Sequence, residues 1–293
     1  MSIGLCLSGG GVKGAAHIGV LKALEEADIK IDYIAGCSSG SIVASLYAMG
    51  YKPMEILYIF KNYCKYITDF DKMIPFKIIG MIFTGKLKLK GLAKGNSLEY
   101  IIKEFCLKKN ITNINEVDMP LAIPTVDIKT GEIIYFLNRE LKNKNNNEDD
   151  RFEDYKIYEN SGNLADIIRA SSSLPCVFEP KYINGRYLID GGVRMNTPAE
   201  ILKNMGADKV ITVSFDDNKK TNINNFNIVD VTLKSFDIMG HEMEYNQLKK
   251  SDYVIMPKLI DVSLLECDKV SYAANIGYME TRKQIEKIKE SIM

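Results

Sequence analysis

Apolar positions fall along the chain in two rhythms, and the places where one gives way to the other outline its elements. Residues 3–8 (IGLCLS) form a short unbroken apolar run ended by glycines, the pattern of a buried strand. The glycines open into VKGAAHIGVLKALEEA, whose apolar residues recur at helical spacing. The same unit then repeats: YIAG (33–36) reads as a second short strand, and SIVASLYAMG after Ser38 as a helix stopped by Gly50. Helices are also predicted for PMEILYIFKNYCKYI, NSLEYIIKEFC, LADIIRASSSL and TPAEILKNMG. LAIPTVDI and EIIYFL flank Lys129, Thr130 and Gly131 as a hairpin, while RYLI ending at Asp190, KVITVSF and DYVIMP read as further strands. Strands alternating with helices predict an α/β fold with a mainly parallel central sheet and helices on both faces, a three-layer sandwich with its sites at the carboxyl ends of strands.

Two stretches stand outside this rhythm. Residues 138–154 (NRELKNKNNNEDDRFED) are polar, charge-mixed and nearly free of aliphatic side chains, so they read as a surface insertion within one domain spanning 1–293. Residues 73–91 mix apolar side chains with Lys77, Lys86, Lys88 and Lys90. That composition suits a lid or an interfacial segment meeting lipid headgroups, and equally a helix pair over the core with solvated lysines.

Composition narrows the partners. Lys+Arg and Asp+Glu both number 38 in 293 residues, so the basic excess of a nucleic-acid binder is missing and any membrane contact has to be local and peripheral. The opening MSIGLCLSGGG lacks a basic leader region, and no apolar run reaches a membrane-spanning length, so a cytoplasmic protein is expected. Six cysteines (Cys6, Cys37, Cys64, Cys106, Cys176, Cys267) are scattered without metal-site spacing, which predicts reduced, mostly buried thiols and no metal.

Three motifs carry candidate chemistry. GCSSG (36–40) fits GxSxG, in which Gly36 and Gly40 allow a sharp strand-to-helix turn that exposes Ser38 as a nucleophile. An ordinary turn has the same spacing; the strand before it and the helix after it favour the nucleophile. SGGGVKGAA (8–16) gathers backbone amides at a helix start, where Gly9, Gly10 and Gly11 could receive an oxyanion, with Lys13 and Gly14 completing the loop. The same loop fits the dinucleotide fingerprint GxGxxG through Gly9, Gly11 and Gly14, so a nucleotide- or phosphate-binding module is the alternative reading. Against it, Asp32 precedes the second strand instead of closing it, and no Lys followed by Ser or Thr comes after Gly14. LIDGG (188–192) places Asp190 at a strand end, followed by Gly191 and Gly192; a simple β-turn would look the same.

A serine nucleophile needs a base, and the only histidines are His17, within an apolar helix, and His241, in a Met-rich helical region. A packed structural role suits His17 better, a triad role for His241 stays open, and the remaining base is a carboxylate, which would need burial or a preorganised short contact with the hydroxyl to serve. Ser171, Ser172 and Ser173 read as helix-end capping and packing.

In this order, GGGVKG, GCSSG and DGG resemble the patatin-like phospholipase family, as do HIGVLKALEE and RASSSLPCVFEP, over most of residues 3–215. The resemblance implies a Ser38–Asp190 dyad that needs no histidine, an oxyanion held by loop amides, and release of a fatty acid from a lipid ester through an acyl-enzyme without metal or cofactor. Cys37 and Ser39 beside the nucleophile, and Gly192 where many members have alanine, are small departures that leave that expectation intact.

Overall fold

The computed structural model describes residues 1–67, 90–142, 155–215, 228–259 and 262–292. Its sheet is built from β1 (Ile3–Leu7), β2 (Tyr33–Gly36), β3 (Leu121–Asp127), β4 (Ile133–Leu137), β5 (Lys156–Glu159), β6 (Lys181–Ile183), β7 (Arg186–Asp190), β8 (Lys209–Val213) and β9 (Tyr253–Ile255). Along the sheet the order is β5-β4-β3-β2-β1-β8-β9, and β7 pairs with β3 and β6. The β1–β2, β2–β3, β1–β8 and β8–β9 ladders are parallel, as the strand–helix alternation requires, while the β3–β4 hairpin and the β7 ladders are antiparallel.

Alternation within the strands separates two cores. Leu5, Leu7 and Ile34 point into the larger one, shared with α1 (Ala15–Glu26), α2 (Ser39–Ala48), α3 (Pro53–Ile67), α4 (Asn96–Lys108) and α5 (Leu164–Ser171). Cys6, Ala35 and Ala122 face the other way, where small side chains let Leu202 and Met205 of α6 (Ala199–Met205) pack closely on the sheet. A long helix, α7 (Ile228–Leu248), follows β8, and α8 (Val270–Arg282) and α9 (Ile285–Ile292) follow β9. α8 lies along α1, tying this C-terminal part of the chain to the first helix.

The junction that matters lies on one edge of β3. Ile34 and Ala35 of β2 pair in parallel with Leu121 and Ala122, and β2 ends at Gly36. The next part of the same edge is taken by β7 running the opposite way, with Asp190 opposite Thr125. Two strands therefore meet head-on along β3, bringing residues just after Gly36 up to the end of β7.

Three expectations need correction or completion. Cys64 of α3 and Cys267 are joined in a disulfide with Cα atoms 5.7 Å apart, so these two are not free thiols; Cys6, Cys37 and Cys106 are free and buried. Scattered spacing could not reveal this pair, because the fold alone brings positions 203 residues apart together. Within the polar stretch, Asn138 is buried and bonds Leu121 N and the carbonyls of Val117 and Met119, so its first residue is a sheet anchor; residues 143–154 lie outside the described residues. Of 73–91, residues 73–89 also lie outside them.

Candidate active site

Ser38 sits on the turn between β2 and α2 with φ 51° and ψ −124°, a conformation costly for a residue with a side chain. Several bonds hold it there. Cys37 N–H donates to Leu7 O (3.0 Å), Ser38 N–H to Ser171 Oγ (3.1 Å), and Ser171 Oγ–H in turn to Pro124 O (2.8 Å). The Ser38 carbonyl accepts from Ser41 N–H (2.9 Å) and Ser41 Oγ–H (2.6 Å), starting the helix. Gly40 has to be glycine, since a Cβ there would stand 2.4 Å from Leu7 O, where the helix crosses the end of β1. Gly36, on the strand side, packs against Gly40 in the same crossing.

Asp190 arrives from the opposite direction and is 2% exposed. Its Oδ1 accepts from Gly192 N–H (2.8 Å) and from the Cys37 thiol (3.6 Å), and the Gly191–Val193 turn that follows reverses the chain. Oδ2 is buried and makes no hydrogen bond among the described residues, while the Ser38 hydroxyl lies near enough to the carboxyl to favour its charged form. Burial pushes the Asp190 carboxyl up to about 6; the Ser38 hydroxyl, Gly192 N–H and Cys37 thiol each pull it partly back. Burial, and then the Asp190 charge, hold the Cys37 thiol well above the usual range, so Cys37 stays a neutral donor.

The glycine loop lies beside Ser38. Gly9 N–H, grouped above with the expected oxyanion donors, donates to Asn196 Oδ1 (2.9 Å). Val12 N–H goes to Leu264 O (2.9 Å) and Lys13 N–H to Gly10 O (3.2 Å). The amides of Gly10 and Gly11 make no hydrogen bond among the described residues and border the cavity at Ser38. Gly11 has φ 58°, and a Cβ there would come 2.3 Å from Leu264 O, so both its backbone and its neighbour demand glycine. Gly14 closes the turn against Ser39.

Ser38 opens onto two spaces. One is an apolar pocket walled by Ile42, Phe60, Leu98, Val177, Phe178 and the Cys64–Cys267 pair. The other is a cavity of about 550 Å³ between the glycine loop, Asp190 and α7, which adds Phe215, Phe236, His241 and Glu244. His241 is thus brought to the wall of the same cavity. His17 is not: it is buried, its Nε2 donates to Ser8 O (2.8 Å), it packs 4.8 Å from the Phe215 ring, and burial lowers its pKa to about 4. Asp32 lies at the far end of β2, bound to Ile3 N–H (3.0 Å) and Lys30 (3.0 Å), away from the glycine loop. Among the described residues no group of three His, Cys, Asp or Glu side chains is placed to hold a metal ion.

Two contributors escaped sequence reasoning. Ser171, which reads as helix-end packing, is the side-chain partner of the Ser38 amide; its position before Ser172 and Ser173 gave no hint of that. Asn196, six residues after Asp190, holds Gly9, and its proximity to DGG was the one available signal.

The patatin-like phospholipase family model matches residues 5–203, which include Ser38, Asp190 and Asn196. A lysophospholipase, NTE1 of Meyerozyma guilliermondii, is 28% identical over 295 aligned positions covering 97% of this chain and 17% of its own length. Human patatin-like phospholipase domain-containing protein 6 is 24% identical, covering 99% of this chain and 18% of its own. The chain thus spans about a sixth of the length of these curated relatives. Among solved structures, VipD from Legionella pneumophila aligns with a TM-score of 0.50 at 15% identity, over 98% of this chain and 67% of that one. Human GIVD cytosolic phospholipase A2 aligns with a TM-score of 0.51 at 8% identity, over 99% and 59%. At these identities the two structures speak for the fold.

Proposed function

This chain belongs to the patatin-like phospholipase family, and so to the lipid ester hydrolases, and from that premise we propose that residues 1–293 act as one acyl hydrolase unit in which Ser38 is the nucleophile and Asp190 its base. The observation that carries the reading is the head-on meeting of a strained serine turn with a buried carboxylate whose Oδ2 has no other partner among the described residues.

With its pKa near 6, the Asp190 carboxylate is ionised at neutral pH and far more basic than an exposed aspartate. It takes the Ser38 proton as Oγ attacks the acyl carbonyl. The oxyanion of the tetrahedral intermediate fits the open N–H groups of Gly10 and Gly11, a contribution of about 3 kcal/mol per well-placed donor. Collapse of the intermediate breaks the ester C–O bond, and the proton held by Asp190 passes to the leaving alcohol. Water, deprotonated by Asp190, then attacks the acyl-serine, and as the fatty acid leaves the proton passes from Asp190 back to Ser38 Oγ, restoring both groups. The apolar pocket suits the acyl chain, and the larger cavity suits the alcohol side of the ester.

The substrate is a fatty-acyl ester of a lipid or phospholipid, met at a membrane surface by peripheral contact. Among the described residues no helix is long and apolar enough to cross a bilayer. The position of Asp32 weighs further against the nucleotide-binding alternative, since it lies at the end of β2 away from the glycine loop, where it could not reach a ribose bound there. Reaction with a fluorophosphonate probe, read by intact mass, tests the mechanism. One adduct per chain is expected, with none in Ser38→Ala and slow labelling in Asp190→Asn; wild-type protein that stays unlabelled, or Ser38→Ala that labels fully, would overturn it.

A further inference from the structure

The geometry points to Asn196 and Glu244 as positioning residues that aim the glycine loop, an inference that rests on the serine-hydrolase reading above. Four groups form one chain: Ser214 Oγ–H donates to Glu244 Oε1 (2.6 Å), Asn196 Nδ2–H donates to the same oxygen (3.2 Å), and Asn196 Oδ1 accepts Gly9 N–H (2.9 Å). Glu244 is 7% exposed and lies on α7, while Asn196 follows the Asp190 turn, so the chain joins three separate parts of the cavity wall to the loop.

An asparagine carboxamide has a donor end and an acceptor end of almost equal shape, and something has to decide which faces which neighbour. Here Glu244 decides. Its carboxylate only accepts, so the Nδ2 end turns toward it and Oδ1 is left to face Gly9. Reversal would set Nδ2 against the Gly9 N–H and Oδ1 against the carboxylate, two repulsive contacts at once. The Gly9 carbonyl belongs to the same peptide unit as the Gly10 N–H, so fixing Gly9 restricts where that next donor points. The loop is otherwise anchored through Val12 to Leu264, leaving Gly10 and Gly11 spanned between two fixed ends. The fit at Gly9 is close: a Cβ there would meet Asn196 Oδ1 at 2.8 Å. Gln247, one turn along α7, holds the same segment independently by accepting from Thr197 N–H (2.9 Å) and donating to Arg194 O (3.0 Å). The segment therefore stays docked when Glu244 is changed, which separates aim from folding.

The test measures kcat and KM on a soluble short-chain p-nitrophenyl ester, with thermal unfolding of each variant as the control. Misaimed donors cost rate and not binding, so Asn196→Ala and Glu244→Ala lose about 10- to 100-fold in kcat with KM within about threefold. Glu244→Gln recovers most of the rate, because its carbonyl accepts the same two bonds. The double variant is no slower than the slower single one, since both break one chain. Variants that lose thermal stability while keeping kcat, or a double variant whose losses multiply, would overturn the assignment. Should Asn196→Ala fail to fold, the Glu244→Ala and Glu244→Gln pair decides alone. Ser38→Ala in the same assay isolates the underlying reading: retained turnover there refutes the nucleophile, whereas lost turnover there with unchanged kcat in Asn196→Ala and Glu244→Ala refutes only the positioning role.

Discussion

Replacing Asp190 by Asn should make the protein more stable at neutral pH while removing its activity. Burial raises this carboxyl from 3.8 to about 6, so the native state binds the proton more tightly than the unfolded chain does. Below pH 3.8 the group is protonated in both states and costs nothing. Between 3.8 and about 6 the unfolded chain ionises first and stability drains away; above about 6 the whole cost is present. A shift of about two units corresponds to about 3 kcal/mol. Asparagine has the same shape and no charge, and its Oδ1 can still accept from Gly192 N–H and the Cys37 thiol. Urea unfolding at pH 7.5 should therefore show Asp190→Asn more stable by up to about 3 kcal/mol, the gain shrinking toward zero as pH approaches 4. A variant no more stable than wild type at pH 7.5, or a gain that persists undiminished at pH 4, would refute the claim that an ionised, desolvated Asp190 is stored in the native site.

The same titration sets the acid limb of turnover: kcat/KM should fall about tenfold per pH unit below about 6, and a limb centred near pH 4 would mean a solvated base. Ser38→Gly should be more stable than Ser38→Ala by about 1–2 kcal/mol, because only glycine relieves φ 51°, and equal melting temperatures would deny the strain. Ser171→Ala leaves the Ser38 amide without its partner and should cost about 1–3 kcal/mol together with a drop in kcat, checked by calorimetry and ester hydrolysis; a silent variant would remove Ser171 from the turn's support. Reducing the Cys64–Cys267 bond should lower stability by about 2–5 kcal/mol, measured by unfolding with and without dithiothreitol.

Elements whose signal is local are legible in the amino-acid order alone. The runs around Leu5 and Ile34 and the helical spacing of Pro53–Ile67 predict β1, β2 and α3 with little error, because burial on one or both faces writes itself into periodicity. Strands β5 and β6 escape: Lys156–Glu159 and Lys181–Ile183 are short edge strands, only partly buried, so no apolar rhythm marks them. Ser38 and Asp190 can be singled out because each sits in a glycine-flanked turn. The side chains that hold the Ser38 turn and the glycine loop cannot, since Ser171, Asn196 and Glu244 meet partners 48 to 187 positions away, and no local pattern encodes such pairs. Gly9 shows the same limit from the other side: its place in the loop is plain, but whether its amide is open depends on Asn196.

The Val12–Leu264 bond and the Cys64–Cys267 link also give the site a timetable. A chain made from its N-terminus presents the glycine loop and Ser38 first, then Asp190, and only much later the segment after β9 that closes the apolar pocket and pins the loop. Until that segment leaves the ribosome, Ser38 stands beside an unfinished wall. On the reading that Ser38 and Asp190 form the dyad, hydrolytic competence waits for this last segment.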